Sequence, residues 1–394
     1  MTAPSSAHAA PPVEAPRPHS LGARGAGIVL LLFLAAGLVS TLAAVATERL
    51  DLLPHPLGRA AFLDGASMRD MAAALADAPM ARAAATTERQ ASWLATGDLG
   101  PQVRQGCPGW LFLATEITPQ PDADRHLRER AQAVVAIHED LRQRGIRLLV
   151  ALVPDKSRIE NARLCGLERS AAIDNRLRVW AGRLGAGGVP MVDTSAALRG
   201  LLERGEDPFL RTDSHWTQNG AAAAAAAVAA AVRRQGIELA PHQDYAIDRS
   251  RAPARRPGDL VRLAGIDGLP LELQPAPETT GEHVFTKRAG SSAGGATGAT
   301  AASAEDELFG DTALPQVALL GTSFSRTSHF ADYLAAALQT PVASFAKDGG
   351  DFWGSAGAYF ASDAFRQTAP KLVIWEIPER TLQLPTTGER WQIP

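Results

Sequence analysis

Cysteine is almost lacking. Cys107 and Cys165 are the only two in 394 residues, and no Cys/His cluster has ligand spacing, so neither a metal nor any other cofactor is expected. An excess of one charge is lacking as well. Lys and Arg number 39 against 42 Asp and Glu, for a net charge of −3, which removes the electrostatic footprint of a nucleic-acid binder. The basic cluster Arg249, Arg251, Arg255 and Arg256 is offset by Asp248 and Asp259; it reads first as a solvated loop and second as a polyanion contact. With 46% hydrophobic residues the chain is long enough for one large α/β domain plus accessory elements.

Charge of either sign is missing from one stretch. Between Arg24 and Glu48 lie 23 uncharged residues that include Ile28-Val29-Leu30-Leu31-Leu32-Phe33-Leu34, long enough to span a bilayer once. Arg17 and Arg24 precede it against Glu14, a weak positive-inside signal. Two readings stand: an uncleaved anchor, and a signal peptide cleaved after the small-x-small Ala44-Val45-Ala46. The length of the run favours the anchor, and both place the bulk of the chain outside the cytoplasm. In an oxidising compartment Cys107 and Cys165, each beside proline or glycine, are expected to pair rather than remain free thiols. The organisation read here is a disordered cytoplasmic tail (1–24), a membrane segment (25–47), a helical connection (48–99) and the main domain (100–394).

Within the connection, apolar and polar positions alternate as in a helix over 58–96, with Met68, Met71 and Leu75 on one face. Cys107-Pro108-Gly109-Trp110-Leu111-Phe112-Leu113 reads as a turn into a short strand. Helices are expected at 122–144, 170–184, 195–204, from near 217 through 231, at 328–339 and at 355–367, and strands at 146–153, 189–193, 316–320, 342–345 and 371–377. This alternation predicts a mainly parallel sheet. Residues 240–285 read as irregular or as short strands, and Gly290 to Ala304, rich in Gly, Ser and Ala, as a flexible excursion.

Two short stretches carry the chemistry. In Arg211-Thr212-Asp213-Ser214-His215-Trp216-Thr217 a carboxylate two residues before a histidine can reach Nδ1, fix the tautomer and leave Nε2 free to take a proton. Asp213 or Ser214 could equally cap the following helix. Gly321-Thr322-Ser323-Phe324-Ser325 ends an apolar strand, where open α/β sheets bind ligands, although such turns are common. Lys156 and Arg158, in the loop after another strand, either face a ligand or form a surface ion pair with Asp155 or Glu160. Gly349 and Gly350, within Asp348-Gly349-Gly350-Asp351, either offer backbone N–H groups to an oxyanion or form an ordinary turn. Trp216, Trp353 and Tyr359 are candidates for sugar stacking, with core packing as the alternative.

Gly109-Trp110-Leu111-Phe112-Leu113, Val153-Pro154-Asp155-Lys156-Ser157-Arg158, Asp213-Ser214-His215-Trp216-Thr217, Gly321-Thr322-Ser323-Phe324-Ser325 and Trp375-Glu376-Ile377-Pro378-Glu379-Arg380 together resemble the alginate O-acetyltransferase family. The resemblance runs from about residue 100 to 385. It implies an SGNH hydrolase-like three-layer α/β fold with permuted catalytic blocks, and Asp213, His215 and Ser323 as the catalytic residues. It also implies acetylation of an exopolysaccharide in the periplasm, beside a membrane-bound O-acyltransferase that brings acetyl across the inner membrane. Some relatives carry a carbohydrate-binding module after this domain. The chain ends 14 residues after Arg380, so polymer binding is expected to fall to the catalytic face or a partner. The long excursion around 250–312 departs from the family pattern. A carbohydrate esterase with the same triad and a non-catalytic subunit of a secretion complex are the alternatives.

Overall fold

The computed structural model describes residues 21–52, 59–63, 65–288, 315–385 and 391–393. Most of the expected tail and all of Gly290 to Ala304 lie outside the described residues. The chain divides into two compact units, Met1–Ala91 and Ser92–Pro394.

In the first unit Leu21–Ala46 is one helix, and its stretch Arg24–Ala46 is apolar over 23 residues. At 1.5 Å per residue that is about 34 Å, enough to cross a hydrocarbon core. Ile28, Leu31 and Leu34 on it are exposed. The helical segment expected over 58–96 consists of three helices among the described residues: Arg59–Leu63, Ala66–Ala76 and Pro79–Thr96. The last begins at a proline, a residue suited to a helix's first turn and unsuited to its interior.

The second unit starts at Ser92, ahead of the boundary expected at 100; Trp93 there donates its Nε1–H to the Leu273 carbonyl at 2.7 Å. Its strands are β1 (Val103–Gln105), β2 (Leu111–Leu113), β3 (Arg147–Val153), β4 (Met191–Asp193), β5 (Tyr245–Arg256), β6 (Glu278–Lys287), β7 (Val317–Leu320), β8 (Val342–Ser344) and β9 (Leu372–Pro378). A five-stranded sheet runs β4-β3-β9-β7-β8, and every neighbouring pair is parallel.

The burial pattern explains why these strands read as unbroken apolar runs. In β3, Leu148, Val150 and Leu152 enter the core on one face of the sheet, while Leu149, Ala151 and Val153 enter the core on the other. Strand β9 divides in the same way, with Val373, Trp375 and Ile377 opposite Leu372 and Ile374. Side chains alternate across a strand, so covering both faces demands apolar residues at every position. The first face is covered by the helices Ala123–Gln143, Ala171–Ala186 and Gly354–Phe360, the second by Ser195–Glu203, Gln218–Arg234 and Phe330–Leu338. This is the expected three-layer α/β architecture.

Two expectations need correction. The helix expected at 355–367 is broken into Gly354–Phe360 and Asp363–Gln367, because Ser362 caps the second piece by accepting from the Phe365 N–H at 3.3 Å. Residues 240–285, expected to be irregular or short-stranded, hold a long antiparallel ribbon of β5 and β6. Its register shifts twice between Arg249 and Ala254, which erases the simple alternation that marks a strand.

Cys107 and Cys165 form a disulfide across a sequence separation of 58, with Cα atoms 4.9 Å apart. It ties the β1–β2 turn to the 161–163 segment, where the Cys107 N–H also donates to the Arg163 carbonyl at 2.8 Å. A loop of that length implies stabilisation of about 4 kcal/mol. Replacing both cysteines by serine is therefore expected to lower the thermal midpoint clearly, and an unchanged midpoint would contradict this.

Candidate active site

The loop at 209–216 is a small hairpin. Phe209 bridges Trp216, the Leu210 N–H donates to the His215 carbonyl at 3.1 Å, and the Thr217 N–H donates to Pro208 at 2.8 Å. Helix Gln218–Arg234 then begins, capped by the Thr217 side chain, which accepts from the Gly220 N–H at 3.1 Å. The cap is thus Thr217, and Asp213 and Ser214 are left for other work.

Four distant segments hold this hairpin. The Lys156 ammonium, fully buried, donates to the carbonyls of Leu111 at 2.6 Å, Arg211 at 2.8 Å and Asp213 at 3.0 Å. Burial pulls its pKa down to about 8, with the Glu116 and Asp213 carboxylates acting against the fall, so it remains charged and a three-fold donor at neutral pH. Strand β2 contributes the Leu111 N–H, which donates to the Arg211 carbonyl at 2.9 Å. From β6, Glu278 accepts the Thr212 N–H at 2.9 Å. From the short helix Asp259–Leu263 after β5, the Asp259 N–H donates to Asp213 Oδ2 at 3.2 Å.

The nucleophile candidate is placed by the sheet. Strand β7 ends at Leu320 and a single helical turn, Ser323–Arg326, follows. Next to β7, β9 carries Glu376 near its end, and this carboxylate accepts the Thr322 N–H at 2.6 Å and the Ser325 hydroxyl at 3.0 Å. Burial pushes the Glu376 pKa up and these donors oppose the rise. A Cβ on Gly321 would lie 2.3 Å from Ser325 Oγ and 2.5 Å from Glu376 Oε2, so the turn closes over the carboxylate only because residue 321 has no side chain. Gly321→Ala is expected to move Ser323 and lower any serine-dependent activity by about 100-fold, the effect of a roughly 1 Å misplacement. Unaltered kinetics in that variant would contradict the assignment.

The two pieces meet. His215 Nδ1 lies 2.6 Å from Asp213 Oδ1, and His215 Nε2 lies 2.7 Å from Ser323 Oγ. The His215 N–H also donates to Asp213 Oδ1 at 3.0 Å. Burial alone would raise the Asp213 pKa; the His215 hydrogen bond and the charges of His215 and Arg256 outweigh it and hold Asp213 below the usual carboxylate range. The imidazole packs against the Phe324 ring at 5.0 Å between centroids, and the Arg380 guanidinium sits 5.1 Å over that ring. Such an arrangement can move the Ser323 proton to His215 Nε2 while an anionic Asp213 stabilises the imidazolium.

Other expected site residues have different places. Lys156 faces no ligand crevice and forms no surface ion pair: its three protons are taken by main-chain carbonyls. Arg158 pairs with Glu379 through two bonds of 2.7 Å, inside a cluster in which Arg169 and Arg176 bond both Glu379 and Asp155. The Gly350 N–H donates to the Lys347 carbonyl at 3.1 Å, so the turn itself takes up that donor. Gly349 has φ 64° in the same turn; it is joined to the nucleophile's helix through its neighbour Asp348, which pairs with Arg326 at 3.3 Å. Trp216 and Tyr359 are buried in the core, and Trp353 packs on Trp375 and Phe360.

Asp213, His215 and Asp259 lie close enough to converge on an ion. Their donor atoms are already engaged, Asp213 with His215, and Asp259 with the Ser214 N–H and hydroxyl at 2.6 Å each. Sequence reasoning missed Asp259, Glu278 and Glu376 as partners of this centre. A carboxylate at the end of an otherwise apolar strand, as in Glu376, was the one available signal.

Comparison with known proteins identifies the family. The family model for the SGNH hydrolase-like domain of the acetyltransferase AlgX matches residues 103–379. The chain is 33% identical over 287 residues to the probable alginate O-acetylase AlgJ of Pseudomonas putida, covering 72% of this chain and 71% of that protein. With the Pseudomonas aeruginosa AlgJ it shares 31% over 287 residues, with the same coverage. The solved O-acetyltransferase domain of Pseudomonas putida AlgJ superposes with a TM-score of 0.62 at 29% identity, over 73% of this chain and 94% of that domain. The chain therefore belongs to the AlgX/AlgJ family of SGNH hydrolase-like acetyltransferases and is an acetyl-transfer enzyme.

Proposed function

We propose that this enzyme acetylates hydroxyls of an exopolysaccharide of the alginate type, through an acetyl-Ser323 intermediate. The observation that carries the reading is the unbroken chain from Asp213 through His215 to Ser323, with contacts of 2.6 and 2.7 Å. In the first half-reaction Ser323 Oγ attacks the acetyl carbonyl carbon of a donor while its proton passes to His215 Nε2. The donor's bond to acetyl breaks, and His215 returns the proton to the leaving group. In the second half a sugar hydroxyl attacks acetyl-Ser323, its proton goes to His215, and Ser323 leaves as the regenerated hydroxyl. The Ser323 N–H is the donor for the oxyanion, since Glu376 takes the Thr322 N–H and Lys347 that of Gly350.

A cleft of about 470 Å³ adjoins the hairpin at Leu210 and Thr217, lined by Gln218, Asn219, Thr279 and Thr280 among others. Although it stops short of His215 and Ser323, its hydroxyl and amide lining suits a sugar chain leading to them. The helix Arg24–Ala46 supports single-pass attachment to the inner membrane with the catalytic unit in the periplasm; a membrane-bound O-acyltransferase as the source of acetyl is part of the proposal that rests on the family resemblance alone.

The test gives the purified full-length protein in detergent a chromogenic acetyl ester, with and without oligomeric polyuronate. Acetyl esters on the oligomer are the expected product. Ester cleavage with no transfer to any polyuronate would move the reading to an esterase.

A further inference from the structure

We propose that Asp259 is a positioning residue of this site, a second carboxylate that sets the imidazole of His215; the inference rests on the acetyl-serine reading above.

Asp259, the first residue of the short helix Asp259–Leu263 that follows β5, meets the hairpin at four points. Its Oδ1 accepts the Ser214 N–H and its Oδ2 the Ser214 hydroxyl, both at 2.6 Å. Its own N–H donates to Asp213 Oδ2 at 3.2 Å, and Oδ2 lies 3.5 Å from His215 Nδ1. The Ser214 hydroxyl, fixed by Asp259, is itself 3.4 Å from the same Nδ1. Asp259 thus touches the residues on both sides of the Asp213–His215 bond and holds the oxygen of Asp213 that the histidine does not use.

The approach is built in. A Cβ on Gly258 would lie 1.9 Å from the Thr212 carbonyl oxygen, so a glycine is what lets the turn come this close. Beyond it, the Leu260 N–H donates to that carbonyl at 3.3 Å, and Leu260 and Val261 pack in a core with Val103 and Leu111. A rigid turn therefore delivers the carboxylate.

Around His215 the charged groups are Asp213 and Asp259, with Arg256 at 3.5 Å from Asp213 Oδ2, Lys156 on the Asp213 carbonyl, and Arg380 beyond the Phe324 ring. Arg256 draws on one oxygen of Asp213, and Asp259 adds a second negative charge on the Nδ1 side of the ring. An imidazolium forming as Ser323 loses its proton faces both carboxylates, which stabilise the charge as it develops.

The test measures the rate at which a sulfonyl fluoride modifies Ser323 in full-length wild-type protein, Asp259→Asn and Ser214→Ala, with thermal midpoints and the downfield Nδ1 proton resonance of His215. This readout needs no polysaccharide, so it separates a failed positioning role from a wrong acceptor. Asp259→Asn keeps the shape and is expected to slow modification by about 10- to 100-fold, with kcat for ester cleavage falling while KM holds. The Nδ1 resonance is expected to shift. Modification at the wild-type rate with an unmoved resonance overturns the proposal. If Asp259→Asn unfolds, Ser214→Ala decides: slower modification at an unchanged midpoint supports the role, and an equal rate overturns it. No modification of Ser323 in the wild type would remove both this proposal and the acetyl-serine reading.

Discussion

Ser323→Ala is expected to lower acetyl transfer by about four orders of magnitude or more, with the fold intact. In the proposed mechanism the hydroxyl oxygen carries the acetyl group, and its neighbours do not depend on it for packing. The buried supports of the turn are the Thr322 N–H and the Ser325 hydroxyl on Glu376. His215→Ala is expected to match the serine variant, and the double variant to be little worse than either, because the two groups act in one proton transfer. Additive losses would mean that they act in separate steps. Initial rates with the acetyl ester and a polyuronate acceptor decide between these outcomes.

Glu379→Ala is expected to produce the largest loss of stability. Glu379 is buried at the end of β9 and accepts from Arg158, Arg169 and Arg176 and from the Asp155 N–H at distances of 2.7 to 3.1 Å. It joins the loop after β3, the helix Ala171–Ala186 and the end of β9. Removing it leaves guanidinium groups buried with too few carboxylates, at a cost of about 3–5 kcal/mol, or roughly a 10 °C fall in thermal midpoint. Burial works against ionisation of Glu379, but the Arg158 hydrogen bonds and the Arg176 charge win and hold its pKa down to about 2. Asp155 goes the other way, up to about 7, through its burial and the nearby Glu379 charge, with Arg176 pulling against them. The pair thus keeps its firm negative charge on Glu379. A carboxyl with a depressed folded-state pKa stabilises above the unfolded value of roughly 4.3. That contribution is lost as pH falls from there toward about 2, so the gap in stability between wild type and Glu379→Ala is expected to close across this range. A gap independent of acid pH would contradict the ion-pair account.

What could be read from the sequence divides along physical lines. Asp213 and His215 are two residues apart, and Ser323 closely follows an apolar strand, so local spacing was enough to raise them as candidates beside the capping and ordinary-turn readings. The strands of the central sheet were also legible, because burial on both faces leaves runs such as Leu148 to Val153 with no polar position. The supports were not legible. Lys156 meets Asp213 across 57 positions, Asp259 meets Ser214 across 45, and Glu376 meets Thr322 across 54; each contact exists only once the sheet and ribbon are assembled. Lys156 drew attention by its place after a strand, and the fold uses that place to bind main-chain carbonyls rather than substrate. Strand β5 escaped notice because its register shifts and Pro253 break the period of two on which a sequence reading depends.

Transfer of acetyl from donor to acceptor by way of Ser323, as proposed, can be observed by rapid quenching of the wild-type protein with an acetyl ester, followed by peptide mass spectrometry. Acetyl on Ser323, absent from His215→Ala and discharged when polyuronate is added, is the predicted result. Full turnover with no acetyl on Ser323, or with acetyl fixed at another residue, would contradict the account.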